Sequence, residues 1–420
     1  MITLTATKSL EFPLLQDDIL ALAEIDHESL RESLRAALSW LGDRAQVLDE
    51  AEELEKRHHQ LSWKGAIKGE YSVASKEWRF FCPVWHTGQA VKAFVLGYQA
   101  LGDQVWLEKA RLGADFIHAN SIDGEEEDEK IILAYEDYDD KLNTSAVLEC
   151  LDGLRCLYEC QGKSKDRQLL LDATQWVTRR AWRPGEGLLQ DFYAPKEKVF
   201  ITRQGYPARR GRPLLDDGIF LVAFQLGGNA QFREVFYDTA ERLLKDEKPS
   251  GNWINYPPCR SVSGSIHPRH AYWWGFPMFM AFQDSGEEKY LDCALRACRW
   301  YVKAQRRDGG LFRGTYEDFT SDSFGHATSG IAAAISMFLE ATQVTGSREF
   351  IPPLAKALAY CMKMQFRDVA DDNLRGAILE KILPPDGSDR NPYHIRDLGT
   401  IFYAQAAAKI LALGDERKLV

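Results

Sequence analysis

A basic surplus, paired cysteines and long apolar runs are all missing from this 420-residue chain, and each absence narrows what it can be. Asp and Glu outnumber Lys and Arg by 62 to 52, a net charge of −10 with a pI near 5.5. A nucleic-acid binder needs a basic face to displace counterions, so that class is set aside. No stretch approaches the roughly 18 apolar residues that span a bilayer. The opening MITLTATKSLEFPLL has no charged start, continuous apolar core or small-residue cleavage site, so a cytoplasmic location is expected. The eight cysteines (Cys82, Cys150, Cys156, Cys160, Cys259, Cys293, Cys298 and Cys361) are scattered. Cys156 and Cys160 stand one helical turn apart, without the CxxC pairs of a zinc site. Buried free thiols are expected, and no metal or other cofactor.

What is present is an ordinary globular composition, 45% hydrophobic and 27% charged, long enough to bury a large core. A degenerate repeat runs through it. An apolar helix ends in an aromatic or Leu, a short polar turn with Gly follows, and an amphipathic helix begins. The turns are Tyr98–Asp103, Tyr158–Lys163, Phe224–Asn229, Phe282–Glu287 and, more loosely, Leu339–Gly346. The Gly ends the first helix in a left-handed residue and makes the second antiparallel. The first helices (90–100, 146–157, 219–226, 271–282, 331–339) have no polar face and belong inside; the second, such as 106–119, 232–244 and 290–305, have one wet face.

Five hairpins leave two helices over, an amphipathic one near 28–56 and an apolar one near 394–413. Paired, they make a sixth hairpin and close a ring. The expected fold is therefore all-α, an (α/α)₆ toroid over 28–416 in a single domain 1–420, with residues 1–27 as an extension. An open solenoid is the competing architecture, but it wants polar capping helices, and IFYAQAAAKILAL is too apolar to be one. The long connections, 121–142, 184–215, 248–269, 309–324 and 368–392, all fall where inner helices begin, which marks the functional end.

Titratable residues open every inner helix: His86, His270, His326 and His394 on four, Asp137, Asp139 and Asp140 before Asn143 on a fifth, Asp216 and Asp217 on the sixth. A helix N-terminus favours neutral imidazole and ionised carboxylate, so these groups suit acid–base work. Gln89 follows His86 by one turn. Aromatics, among them Trp253, Tyr256, Trp273 and Trp274, crowd the same loops and offer flat faces to sugar rings. The segment 202–212 is basic for so acidic a chain; its Arg209 and Arg212 suit a carboxylate or phosphate, or else an ion pair with the acidic run 121–130.

Pro213-Leu-Leu-Asp-Asp-Gly-Ile-Phe220, opening an apolar helix, resembles the catalytic helix entrance of the unsaturated uronyl hydrolases, six-hairpin glycosidases. The resemblance implies Asp216 or Asp217 as proton donor and water activator, with an Asp from 137–140 as partner. HAYWWGFPMF is similar to an aromatic-Gly inner helix of the same enzymes. A second resemblance is to the N-acylglucosamine 2-epimerase family, which uses two histidines. His270 in HPRHAYWWG and His394 with Arg396 in YHIRD sit in the corresponding places, and Lys76-Glu-Trp78 before Trp85 resembles its early segment, although the Arg and Glu of that family's pattern are absent. Asp137-Tyr-Asp-Asp140 also matches the acidic pattern of class II terpene cyclases, and a toroid that only binds is a fourth reading. A glycoside hydrolase using Asp140 and Asp217 is expected ahead of an epimerase using His270 and His394. Its partner is a small saccharide, and the chain acts as a monomer or homodimer.

Overall fold

The computed structural model describes residues 12–49, 59–136, 140–202, 211–322, 327–380 and 394–414, without the side chains of 12–14 and His394. Its helices are α1 (Phe12–Ala23), α2 (His27–Trp40), α3 (Pro83–Leu101), α4 (Val105–Ala119), α5 (Thr144–Gln161), α6 (Ser164–Arg180), α7 (Ile219–Gly227), α8 (Ala230–Asp246), α9 (His270–Ser285), α10 (Glu288–Ala304), α11 (Thr328–Thr345), α12 (Ile351–Lys363) and α13 (Leu398–Ala412).

Five of the hairpins turn on a left-handed glycine. Gly102, Gly162, Gly228, Gly286 and Gly346 have φ between +68° and +81°. Each amide donates to the carbonyl four residues earlier, on Tyr98, Tyr158, Phe224, Phe282 or Thr342, and so satisfies a helix-end carbonyl. The apolar helices α3, α5, α7, α9, α11 and α13 form the inner ring. α3 packs on α5, α5 on α7 and on the turn Asp216–Gly218 before it, that turn on α9, then α9 on α11, α11 on α13, and α13 back on α3.

The chain ends complete the sixth pair, as the helix count requires. α2 packs on α13, where Ser33 Oγ and Tyr403 OH share a hydrogen bond of 2.6 Å. Gln16 Nε2, on α1, donates to the carbonyls of Ile410 and Leu411 at 2.9 and 3.2 Å, covering orphan carbonyls of the last helix. Thus the expected extension 1–27 contains a helix, and α1 packs against α12.

Two boundaries differ from the sequence reading. The helix expected to run to 56 stops at Trp40, followed by a single wide turn, Leu41–Ala45. Beyond it Val47 is fully buried and exchanges backbone hydrogen bonds with Gly65 and Ala66, so pairing with a distant segment overrides the helical pattern. The last inner helix begins at Leu398, because His394–Arg396 instead adds to an antiparallel sheet with Gly69–Ser72 and Glu77–Phe80. Among the described residues no helix is long and apolar enough to cross a membrane. All eight cysteines are free thiols, and no group of residues there is arranged to hold a metal ion.

Candidate active site

The closest contact in the inner ring is between α3 and α5, and two glycines make it possible. A Cβ on Gly88 would stand 2.3 Å from Cys150 Cα, and one on Gly153 would stand 2.1 Å from the Gly88 carbonyl oxygen. The crossing brings Gln89 and Lys92 of α3 against Glu149 and Asp152 of α5. Gln89 Nε2 donates to the Glu149 carbonyl at 2.8 Å and to Asp217 Oδ2 at 2.9 Å. Gln405 of α13 donates in turn to Gln89 Oε1 at 3.1 Å, so the amide orientation is determined from both sides.

Asp217 arrives from a strained turn. Its φ is +50°, a left-handed conformation that Asp adopts at a cost, and Gly218 follows at +66°. The turn projects two carboxyls into one buried cluster. Ser145 Oγ joins Asp216 Oδ2 (3.2 Å) to Glu149 Oε1 (3.1 Å). Asp217 Oδ1 receives Tyr272 OH at 3.4 Å and Lys92 Nζ at 3.5 Å.

Burial and mutual repulsion set the charges. Burial, then the fields of Asp216 and Asp217, push Glu149 well above the ordinary carboxylate range. Burial pushes Asp216 up to about 7, with Arg212 opposing and Asp217 reinforcing. Asp217 is also raised by burial, but Lys92 and the Gln89 hydrogen bond oppose that rise. Asp152 is held low despite its burial by Arg155 and Lys92. Burial thus favours the protonated form of all three carboxyls, opposed at Asp217 by Lys92 and Gln89 and at Asp216 by Arg212.

A second group of polar residues lies toward the mouth. His86 Nδ1 is 2.7 Å from Asp397 Oδ1, both side chains fully buried, yet the approach is bent and neither partner completes an aligned hydrogen bond. Arg269 is 6% exposed and its guanidinium stands over Trp85 and Trp273, 5.3 and 4.9 Å from the ring centres. Its Nε and Nη1 are buried without a hydrogen-bond partner. Burial disfavours its charge, the fields of Glu380 and Glu149 support it, and Arg396 opposes it.

The other expected site residues fall elsewhere. His270 is enclosed: Nδ1 meets Cys259 Sγ and the Trp253 carbonyl at 3.1 Å each, and Nε2 meets the Pro257 carbonyl at 3.0 Å. Burial drives it down to about 3, and its ring stacks on Trp274 at 4.3 Å. Trp253 and Trp274 are fully buried, and Tyr256 donates to Asp246, so these three belong to the packing beneath the loops. Trp273 does reach the mouth, against Arg269. Asn143 is the cap of α5, accepting from the Ala146 amide at 3.2 Å. Arg212 is bidentate to Asp191 at 2.6 and 2.8 Å, and Arg396 pairs with Glu70 while lying over Phe81. Arg212 thus has Asp191 as its ion-pair partner, a residue outside the 121–130 run that the sequence reading offered. Asp140 pairs with neighbouring Lys141 at the surface, its side chain 44% exposed. Asp137, Asp139, Arg209, His326 and the His394 side chain lie outside the described residues.

Glu149, Lys92, Arg269 and Asp397 were not singled out from sequence. A signal existed for the first two. A charged residue on a helix with no polar face has nowhere to go but inward, and Lys92, Glu149 and Asp152 all sit on such helices.

Neither a protein-family profile nor a curated protein matches the chain. Solved structures match it in shape. An unsaturated glucuronyl hydrolase specific for heparin aligns with a TM-score of 0.66 at 13% identity, covering 92% of this chain and 98% of that one. The unsaturated glucuronyl hydrolase of Bacillus sp. GL1 aligns at 0.66 and 15%, with 90% and 96% covered. Cellobiose 2-epimerase of Bacillus thermoamylovorans B4167 aligns at 0.65 and 12%, with 92% and 98% covered. The fold is the (α/α)₆ toroid. It is the fold on which both of the resemblances noted in the sequence are built.

Proposed function

We propose that this chain is a carbohydrate-active enzyme that hydrolyses a glycosidic linkage in an acidic saccharide. The observation that carries the reading is the buried cluster of Asp216, Asp217 and Glu149, in which Ser145 joins Asp216 to Glu149, Gln89 and Lys92 meet Asp217, and burial pushes all three carboxyls up. Hydrolysis needs one carboxyl able to give a proton to the leaving oxygen and another able to take one from water. Asp216 suits the first role and Asp217 the second. Ser145, bonded to both Asp216 and Glu149, offers a route by which Glu149 restores the proton that Asp216 gives up.

The acidic substrate is inferred from Arg269. No carboxylate among the described residues pairs with this buried guanidinium, a costly arrangement that a substrate anion would neutralise. Trp85 and Trp273 beside it provide the faces on which a sugar ring stacks.

Epimerisation needs two bases on opposite faces of one carbon. The enclosure of His270 argues against its serving as either, since both ring nitrogens face backbone carbonyls. The cyclase reading has no support from Asp140, whose exposed ion pair could not shelter a carbocation.

The test compares wild type with Asp217→Asn and Asp216→Asn. Release of reducing ends from oligosaccharides and unsaturated uronides is assayed beside isomer exchange on free monosaccharides. Hydrolysis abolished by Asp217→Asn supports the proposal; activity confined to free sugars and indifferent to Asp217→Asn overturns it.

A further inference from the structure

Below the carboxyl cluster, away from the mouth, the inner ring contains a buried cation that the proposed chemistry does not itself use. Lys92 lies one helical turn beyond Gln89 on α3, and its side chain is 6% exposed. Its ammonium stands between two carboxylates. Nζ is 2.5 Å from Asp152 Oδ2 and 3.5 Å from Asp217 Oδ1. Of the two contacts, the longer one to Asp217 is aligned as a hydrogen bond, while the Asp152 oxygen accepts no aligned one.

Asp152 is itself tied down. Arg155, one turn further along α5, donates to its other oxygen at 2.6 Å. Arg155 also pairs with Glu159 at 2.6 Å, so the chain of charges runs Asp217–Lys92–Asp152–Arg155–Glu159 out to the surface. Two cations and three anions alternate along it, which anchors Lys92 in place without consuming its charge. The groups facing Asp217 are then Lys92 from α3, Glu149, Asp152 and Arg155 from α5, Asp216 from its own turn, and Tyr272 from α9. Lys92 is the nearest positive charge among them.

We propose that Lys92 is a positioning residue for the carboxyl cluster: by its charge it selects Asp217 as the ionised member and leaves the protons on Asp216 and Glu149. Three carboxyls in one dry pocket share charge according to their neighbours; Asp217 has the Lys92 ammonium 3.5 Å away, whereas Arg212, the cation that acts on Asp216, is bidentate to Asp191. Lys92 acts through Asp217 and makes no contact with substrate. The inference rests on the proposed reaction for its purpose, but not for its measurement.

The experiment is an infrared titration of the carboxyl C=O band, with the Asp217 component identified by its loss in Asp217→Asn. Lys92→Met removes the charge at nearly constant volume, and Lys92→Arg keeps it. Lys92→Met should raise the Asp217 midpoint by about one pH unit or more, the size of effect an opposite charge at this range exerts, and Lys92→Arg should restore most of the difference. Should Lys92→Met fail to fold, Lys92→Met/Asp152→Asn removes both members of the buried pair and is titrated instead. An Asp217 midpoint unmoved in the folded variant overturns the proposal. The hydrolytic reading fails separately, through an active Asp217→Asn, and that result leaves the titration standing as a test of Lys92.

Discussion

His86 and Asp397 meet at 2.7 Å, so that a buried polar contact between the first inner helix and the entrance of the last lies on the seam where the ring closes. Gln405 reaches Gln89 across the same seam. The closure is therefore polar as well as apolar, and Gln89, which takes part in it one turn after His86, also holds Asp217.

Removing one partner of a buried polar pair leaves the other unsatisfied, which typically costs about 1–3 kcal/mol. Asp397→Leu should lower stability by an amount of this order. Replacing both, as His86→Leu/Asp397→Leu, should recover a substantial part of the loss. Urea denaturation of the three proteins checks this, and a double variant no more stable than the single one would mean that the pair is not the source.

Asp216 predicts how stability depends on pH. Its folded value of about 7 lies above the ~3.9 of an unfolded Asp. Between those values the folded state binds more protons than the unfolded one, so stability falls as pH rises through the window. Three units correspond to roughly 4 kcal/mol at most, and burial of Glu149 acts in the same direction. Denaturation at pH 5 and pH 8 should show the decline in wild type and a shallower one in Asp216→Asn. If Asp216 is the acid, hydrolysis should also fall above about pH 7.

Arg269 separates binding from folding. Arg269→Met removes an unpaired buried charge and keeps an apolar side chain between Trp85 and Trp273, so the melting temperature should hold or rise. Binding of an acidic saccharide should weaken, with KM raised about tenfold or more, the scale of one lost charge-assisted contact. A loss of stability with unchanged KM would assign Arg269 to the scaffold.

Gly88 tests the close approach of α3 to α5. Gly88→Ala places a methyl 2.3 Å from Cys150 Cα, where backbone rather than a flexible side chain must yield. Overpacking of this kind costs about 1–3 kcal/mol. Because Gln89 and Lys92 ride on the displaced helix, hydrolysis should fall more than stability alone would explain. Parallel measurement of kcat and denaturation midpoint separates the two effects.

The ring was legible in the sequence. Apolar helices without a wet face must lie inside, a glycine marks the turn of five hairpins, and long connections precede the inner helices. Those are local properties, written within ten or fifteen residues of one another. Asp216 and Asp217 were legible for the same reason, as acids directly opening an apolar helix. What only the tertiary structure decided was which side chains meet. His270 and Asp217 look alike in sequence, each at the head of an inner helix, yet backbone carbonyls from 253 and 257 close around the imidazole while Gln89 and Lys92 arrive beside the carboxylate. Arg212 and Arg269 are both arginines before inner helices, and only one finds an Asp. Partnership of this kind depends on contacts between residues tens to hundreds of positions apart, and burial makes such contacts decisive, because a charge removed from water takes its ionisation and its role from whatever lies within a few ångströms.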